Sequence, residues 1–150
     1  MLRLATTDDL PDILRMARAF HEVSPYRCLP FDSEYVSGSI LHTLGQPESS
    51  VIILGLDDGK IVGMLAGIVS VCILNGKKQA SESVFWVDAA ARKSTLAKQL
   101  KEAYEYWAKN VVHCDLALMS ALEDDNLLLV DKLYKRSGYT PAERNYMKVF

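Results

Sequence analysis

Residues 51–88 read VIILGLDDGKIVGMLAGIVSVCILNGKKQASESVFWVD, and the order of elements around them decides the fold. Two Val- and Ile-rich runs, Val51–Leu54 and Ile61–Leu74, flank Asp57-Asp58-Gly59-Lys60, whose Asp-Gly step readily supplies the positive φ of a tight hairpin. Asn75-Gly76-Lys77-Lys78 repeats the signal before Gln79 to Asp88, so the stretch predicts three antiparallel strands laid down in sequence order. The uncharged run Ile61–Leu74 is shorter than the ~20 residues of a membrane-spanning helix, and its Val, Ile and two Gly suit a buried strand.

Upstream, Leu2-Arg3-Leu4-Ala5 alternates like a short strand. Thr6 or Thr7 then caps a helix whose first turn holds Asp8, Asp9 and Pro11 and whose apolar stripe is Leu10, Ile13, Leu14, Ala17 and Phe20. Pro25 and Pro30 make the next segment a loop, because proline lacks an amide donor and turns its predecessor away from helical geometry. A second helix is expected from about Asp32 to Leu44, ended by Gly45-Gln46-Pro47. Downstream, a helix capped by Ser94 or Thr95 shows Leu96, Leu100, Ala103, Tyr104 and Trp107 on one side and runs to about Asn110. A strand over about Asp115 to Ala121 follows, then a helix carrying Leu127 to Tyr134 that closes at Gly138 in a left-handed cap. The last residues, Asn145 to Phe150, alternate to the end and are expected to pair in the sheet. The class is α+β, with a mixed, mostly antiparallel sheet flanked by helices.

At 150 residues the chain makes one domain, 1–150, large enough for a core and a cleft. Seventeen Lys and Arg against nineteen Asp and Glu leave a net charge of −2, which gives a phosphate backbone or an anionic membrane no general attraction, so neither nucleic acid nor membrane is expected as a partner. Cys28, Cys72 and Cys114 stand far apart with no metal-ligand spacing, so no metal site is expected and the thiols read as reduced, in a cytoplasmic protein. Acidic residues at Asp8 and Asp9 interrupt any apolar leader after Leu4.

The chemistry concentrates where Val87-Asp88-Ala89-Ala90-Ala91-Arg92-Lys93-Ser94-Thr95-Leu96-Ala97 joins a strand directly to a helix, because free amides at a helix start can point at an anion. A nucleotide-binding P-loop is excluded, since that motif needs glycine where Val87 and Arg92 stand. On this segment alone, an ordinary strand-to-helix turn with solvated Arg92, Lys93 and Lys98 is the favoured reading. Across nearly its whole length, however, the chain resembles the GNAT superfamily of acyl-coenzyme A-dependent N-acyltransferases. The family's coenzyme signature Q/R-x-x-G-x-G/A is matched by Arg92, Lys93, Ser94, Thr95, Leu96 and Ala97, with Thr95 where the family has glycine. Leu133-Tyr134-Lys135-Arg136-Ser137-Gly138-Tyr139-Thr140-Pro141 resembles the family's F/L-Y-x-x-x-G-F/Y-x-P ending. The short single-domain form is also similar to members encoded in phage genomes.

The resemblance implies an enzyme that uses acetyl-coenzyme A as cosubstrate and acetylates a primary amine, on a small molecule or a protein. It implies that the amides of Lys93 to Ala97 hold the pyrophosphate with Arg92 adding charge, that the strand at Trp86 and Val87 pairs with the pantetheine arm, and that Tyr134 protonates the departing thiolate. Glu82 lies ten residues before Arg92, where family members with a glutamate base carry it. Strand alternation groups Glu82 with Val84 and Trp86, opposite Ser83, Phe85 and Val87, and apolar neighbours would raise its pKa toward that of a working base. An exposed glutamate paired with Lys77 or Lys78 is the competing reading of that residue. His21 faces the loop after the first helix, where an acceptor would bind among Glu22, Tyr26, Asp32 and Glu143. Two outcomes stay open: a homodimer, and a catalytically inactive module of the same fold that binds acyl-coenzyme A or a protein partner, which Thr95 favours and Tyr134 disfavours.

Overall fold

The computed structural model describes residues 1–124 and 126–150. In chain order the elements are β1 (Leu2–Leu4), α1 (Leu10–Val23), α2 (Ser33–Leu44), β2 (Ser50–Asp57), β3 (Lys60–Val71), β4 (Lys78–Val87), α3 (Leu96–Tyr106), β5 (Leu116–Leu118) and α4 (Leu127–Arg136). Local chemistry sets the starts of α1 and α2, whereas α3 and α4 begin with no side-chain cap. Asp9, held by a bidentate Arg3 pair with both contacts at 2.7 Å and by the Thr6 amide at 2.8 Å, fastens β1 to the start of α1. The Asp32 carboxylate accepts the Tyr35 amide at 3.0 Å and starts α2. Asp58 and Gly59 both have positive φ, as a two-residue turn between right-twisted strands requires, and Gly138 ends α4 with φ +88°.

The five strands lie in the order β1-β2-β3-β4-β5, antiparallel except for β4 and β5, which are parallel. Among the described residues no helix is long and apolar enough to cross a membrane. One face of the sheet packs Ile52, Leu54 and Met64 against Ile13 and Met16 of α1 and Ile40 of α2. The other packs Val51, Ile53, Leu65 and Val87 against Leu96, Leu100, Tyr104 and Trp107 on α3 and its continuation. Past Tyr106 that helix widens into a π-type turn, Trp107–Val111.

Seating α3 on the sheet depends on side chains being absent. A Cβ at Gly55 would lie 2.6 Å from Leu96, one at Gly63 3.2 Å from Leu100, and one at Gly67 2.6 Å from the Tyr104 ring. These glycines leave room for the inward side chains of α3 directly above the strands.

The structure corrects two expectations. Residues 139–150 form no strand: their side-chain contacts include Arg144 Nε on Glu123 at 2.9 Å, Cys28 Sγ against Met147 Sδ at 3.8 Å, the Tyr139 ring on Tyr134 and under the Lys101 ammonium, and Lys148 against Phe150. β5 offers them little ladder, because it stops at Leu118 and the backbone beyond is bonded to side chains rather than to strands. The second correction is a β-bulge in β4. Ala66 pairs with Val84 but Gly67 pairs with Glu82, so Ser83 is the extra residue and the alternation reverses across it. Glu82 therefore shares its face with Ala80, Phe85, Val87 and α3, while Val84 and Trp86 pack toward α1.

Gly67→Ala is expected to destabilise the protein by about 1–3 kcal/mol, because the new methyl must displace the Tyr104 ring. Urea unfolding should show a lowered midpoint with an unchanged slope; an unaltered midpoint would mean that α3 is not seated as described.

Candidate active site

The parallel pairing of β4 with β5 covers only Gln79–Leu116, Ala80–Ala117 and Ser81–Leu118. From Glu82 to Val87, β4 runs on with no paired strand on that side among the described residues, so the sheet splits into a slot. The direction of the exposed backbone follows from hydrogen-bond parity. Asp88 N donates to Val62 O at 2.8 Å, one residue beyond the Gly63–Val87 pair, which makes that pair non-hydrogen-bonded. The amide and carbonyl of Val87, and two residues earlier those of Phe85, therefore point away from β3 into the slot. Trp86 spends its backbone on β3, so the residue missed from sequence is Phe85, not its neighbour.

The inner end of the slot is closed by side chains on the chain beyond β5. Ser120 N donates to the Glu82 carboxylate at 3.1 Å, and the Tyr134 hydroxyl donates to Ser120 O at 2.9 Å. From α3, the Tyr104 hydroxyl donates to Leu118 O at 3.1 Å. The structure thus brings together Glu82 and Tyr134, which lie 52 positions apart, on opposite sides of one residue. Neither lysine proposed as a partner for Glu82 takes that role: Lys78 donates to Val112 O and Lys77 pairs with Asp115. Burial beside Tyr104 and Tyr134 pushes the Glu82 carboxyl up to about 7, and the Ser120 amide opposes this only partly. The Tyr134 hydroxyl is raised above the usual phenol range by burial, then by the nearby Glu82 and Tyr139, and stays protonated. Its ring lies 5.6 Å from that of Tyr139.

At the other end of the slot, Ala89–Ala91 form one short turn and α3 begins at Leu96. Among the described residues the amides of Lys93, Thr95, Ala97 and Lys98 donate to no protein atom, and that of Leu96 reaches the Ser94 hydroxyl at 3.2 Å. Thr95 has φ −79°, which any L-residue adopts, so the missing glycine costs no backbone strain. This cluster of open donors, with Lys93 and Lys98 exposed beside it, suits a diphosphate. Arg92 points elsewhere: its Nε donates to Val87 O at 2.9 Å and its guanidinium lies 5.0 Å from the Trp86 ring centroid. His21 bonds Leu29 O at 3.0 Å and meets the Phe31 ring edge-on, so its described contacts are with the loop after α1.

A sheet split at a bulged strand, with an open helix start at one end and a carboxylate and a phenol at the other, goes with an acyltransferase. The chain belongs to the acetyltransferase (GNAT) family, whose model matches residues 11–139. No curated protein matches the sequence significantly. Among solved structures, the chain is similar over 100% of its length, and 97% of theirs, to a probable acetyltransferase (20% identity, TM-score 0.78) and to glucosamine-6-phosphate N-acetyltransferase from Arabidopsis thaliana (16%, 0.76). It is likewise similar to a ribosomal-protein-alanine N-acetyltransferase from Brucella melitensis biovar Abortus, at 15% identity and TM-score 0.74, covering 100% of this chain and 99% of that one.

Carboxyl-detected NMR titration should find one glutamate with a midpoint near the value of about 7 set by burial, and Glu82→Gln should delete that resonance. A spectrum in which every glutamate titrates below 5.5 would contradict the described burial of Glu82 (a threshold about one unit above the ordinary glutamate value).

Proposed function

We propose that this single domain transfers an acetyl group from acetyl-coenzyme A to a primary amine by direct attack within a ternary complex. The observation that carries this reading is the convergence of Glu82 and Tyr134 on Ser120, at the inner end of a slot whose outer end is the open start of α3.

The residues present fit the cosubstrate. The open amides of Lys93, Thr95 and Ala97 would hold the pyrophosphate, while those of Ser94 and Leu96, in the same predicted run, are bonded to Ala91 O and the Ser94 hydroxyl; Arg92, Lys93 and Lys98 would supply positive charge. The slot-facing backbone of Phe85 and Val87 would pair with the amides of the pantetheine arm, continuing the sheet by one extended segment. When bound, the thioester supplies an activated acyl carbon, and a slot-facing β4 amide near Val87 would stabilise charge on its oxygen, a contact of a kind worth roughly 3 kcal/mol elsewhere. Glu82 takes the proton of the incoming ammonium, directly or through a water, because its carboxyl ionises near neutrality. Tyr134 keeps its proton until the thiolate departs and then delivers it, which requires the hydroxyl to leave Ser120 O.

The acceptor would approach from the α1–α2 side, where Glu22, Tyr26 and Asp32 lie near the loop that Arg18 and His21 pin to Phe31 and Leu29. Met147 reaches the same loop at Cys28, which brings the chain after α4 to this rim. Acidic and aromatic side chains there favour a cationic amine.

In a thiol-release assay with a panel of amines, log kcat/KM should rise with slope one through about pH 7 and level off above it, since the base works only when ionised. Glu82→Gln should lose about 10²-fold and flatten that limb, and Tyr134→Phe should lose about 10²–10⁴-fold in kcat while binding acetyl-coenzyme A as before. Undiminished turnover in Tyr134→Phe would remove its acid role. Tight coenzyme binding without turnover on any amine would favour the inactive module.

A further inference from the structure

The Val87 carbonyl is one of the few backbone acceptors that face the slot, and it is already occupied. Arg92 Nε donates to it at 2.9 Å, and the guanidinium carbon lies over the Trp86 ring, 5.0 Å from its centroid. Trp86 is itself fixed, because its indole Nε1 donates to Asp88 at 2.7 Å, and Asp88 is clasped by Arg15 of α1 at 3.1 Å. Arg15 also donates to Ile61 O at 3.1 Å, so the clasp is tied to β3 as well as to α1. Arg92 therefore rests on a platform built from three elements, with its Nη1 and Nη2 groups bonded to no protein atom among the described residues.

We propose that Arg92 is a placeholder: in the free protein its Nε–H satisfies the Val87 carbonyl, and the pantetheine arm must displace it to bind. This rests on the acetyltransferase reading and refines it, because Arg92 then both opposes and assists binding. A cosubstrate amide takes the Val87 carbonyl, and the released guanidinium, a fork of donors, is freed toward the phosphates at the start of α3. An unfilled carbonyl in a buried slot costs free energy, so the arrangement keeps the slot satisfied until the proper arm arrives. It also selects against ligands that offer the arm without the phosphates, since those pay for the displacement and receive nothing from the released cation.

The test separates the two effects with a neutral ligand. Calorimetry compares wild type, Arg92→Met and Arg92→Lys with S-acetylpantetheine, which has the arm amides but no phosphate, and with acetyl-coenzyme A. Both variants are expected to bind S-acetylpantetheine about tenfold more tightly than wild type, the worth of one displaced hydrogen bond. Arg92→Met should bind acetyl-coenzyme A no better than wild type. In wild type, the Arg92 Nε–H NMR signal should be protected in the free protein and lose that protection when S-acetylpantetheine, which offers the freed cation no phosphate, is added. This second readout needs no variant. Unchanged or weaker S-acetylpantetheine binding in both variants, or a protected Nε–H in the presence of saturating S-acetylpantetheine, overturns the placeholder and leaves the acetyltransferase reading standing. Absence of acetyl-coenzyme A binding to wild type at millimolar concentration overturns both.

Discussion

Everything in this molecule is referred to the depth at which α3 sits on the sheet. Three glycines, Gly55, Gly63 and Gly67, remove the side chains that would otherwise hold the helix off, and Leu96, Leu100 and Tyr104 occupy the space. That depth has two functional consequences at opposite ends of one helix. At its start, the open amides near Lys93 to Lys98 are brought level with the end of β4, where the slot begins. Toward its end, Tyr104 passes over Gly67 and reaches the Leu118 carbonyl, so the same seating fixes where β5 leaves the sheet. Interiors packed to crystal-like density transmit such placements with little slack.

The slot itself is kept open by bonds of a different kind from those that build the sheet. Two parallel strands would ordinarily continue their ladder and close; here the ladder gives way after Ser81–Leu118, and the next contacts are side chain to backbone. The bulge at Ser83 is what makes this workable. Without it Glu82 would point toward α1 with Val84 and Trp86, and Ser120 would lose its carboxylate partner. One extra residue thus moves a carboxylate through the plane of the sheet and turns a strand residue into part of a site.

The elements were largely legible from residues alone because their signals are local. Asp-Gly at 58–59, the Asp32 cap and Gly138 each dictate a backbone state regardless of what packs nearby. What stayed hidden depends on counting across strands. Glu82 is singled out by its spacing to Arg92, yet strict alternation assigns it the wrong face, because alternation holds only while pairing is one to one and nothing in Ser81-Glu82-Ser83-Val84 announces the extra residue. Phe85 and Ser120 offered no signal: each acts through its backbone, and any side chain could stand there. The C-terminal alternation predicted a strand correctly in pattern and wrongly in outcome, since a strand needs a partner edge that β5 does not extend.

A single desolvated pocket gives Glu82 and Tyr134 their opposite proposed tasks. Burial disfavours the charged form of both groups, so it lifts a carboxylate into the neutral range, where it can exchange a proton, and lifts a phenol beyond it, where it can only hold one. The two effects reinforce each other: ionised Glu82 raises Tyr134 further, so the base is charged in the same state in which the acid is most firmly protonated. A bound cosubstrate arm would exclude still more water and push Glu82 higher, which alone would disable it. An approaching ammonium reverses that shift, because a nearby positive charge favours the ionised carboxylate. The base is thereby charged by the arrival of the group it deprotonates, and a neutral acceptor would find it protonated. On this argument the preference for a cationic amine resides in the ionisation of Glu82 as much as in the acidic rim of the acceptor side.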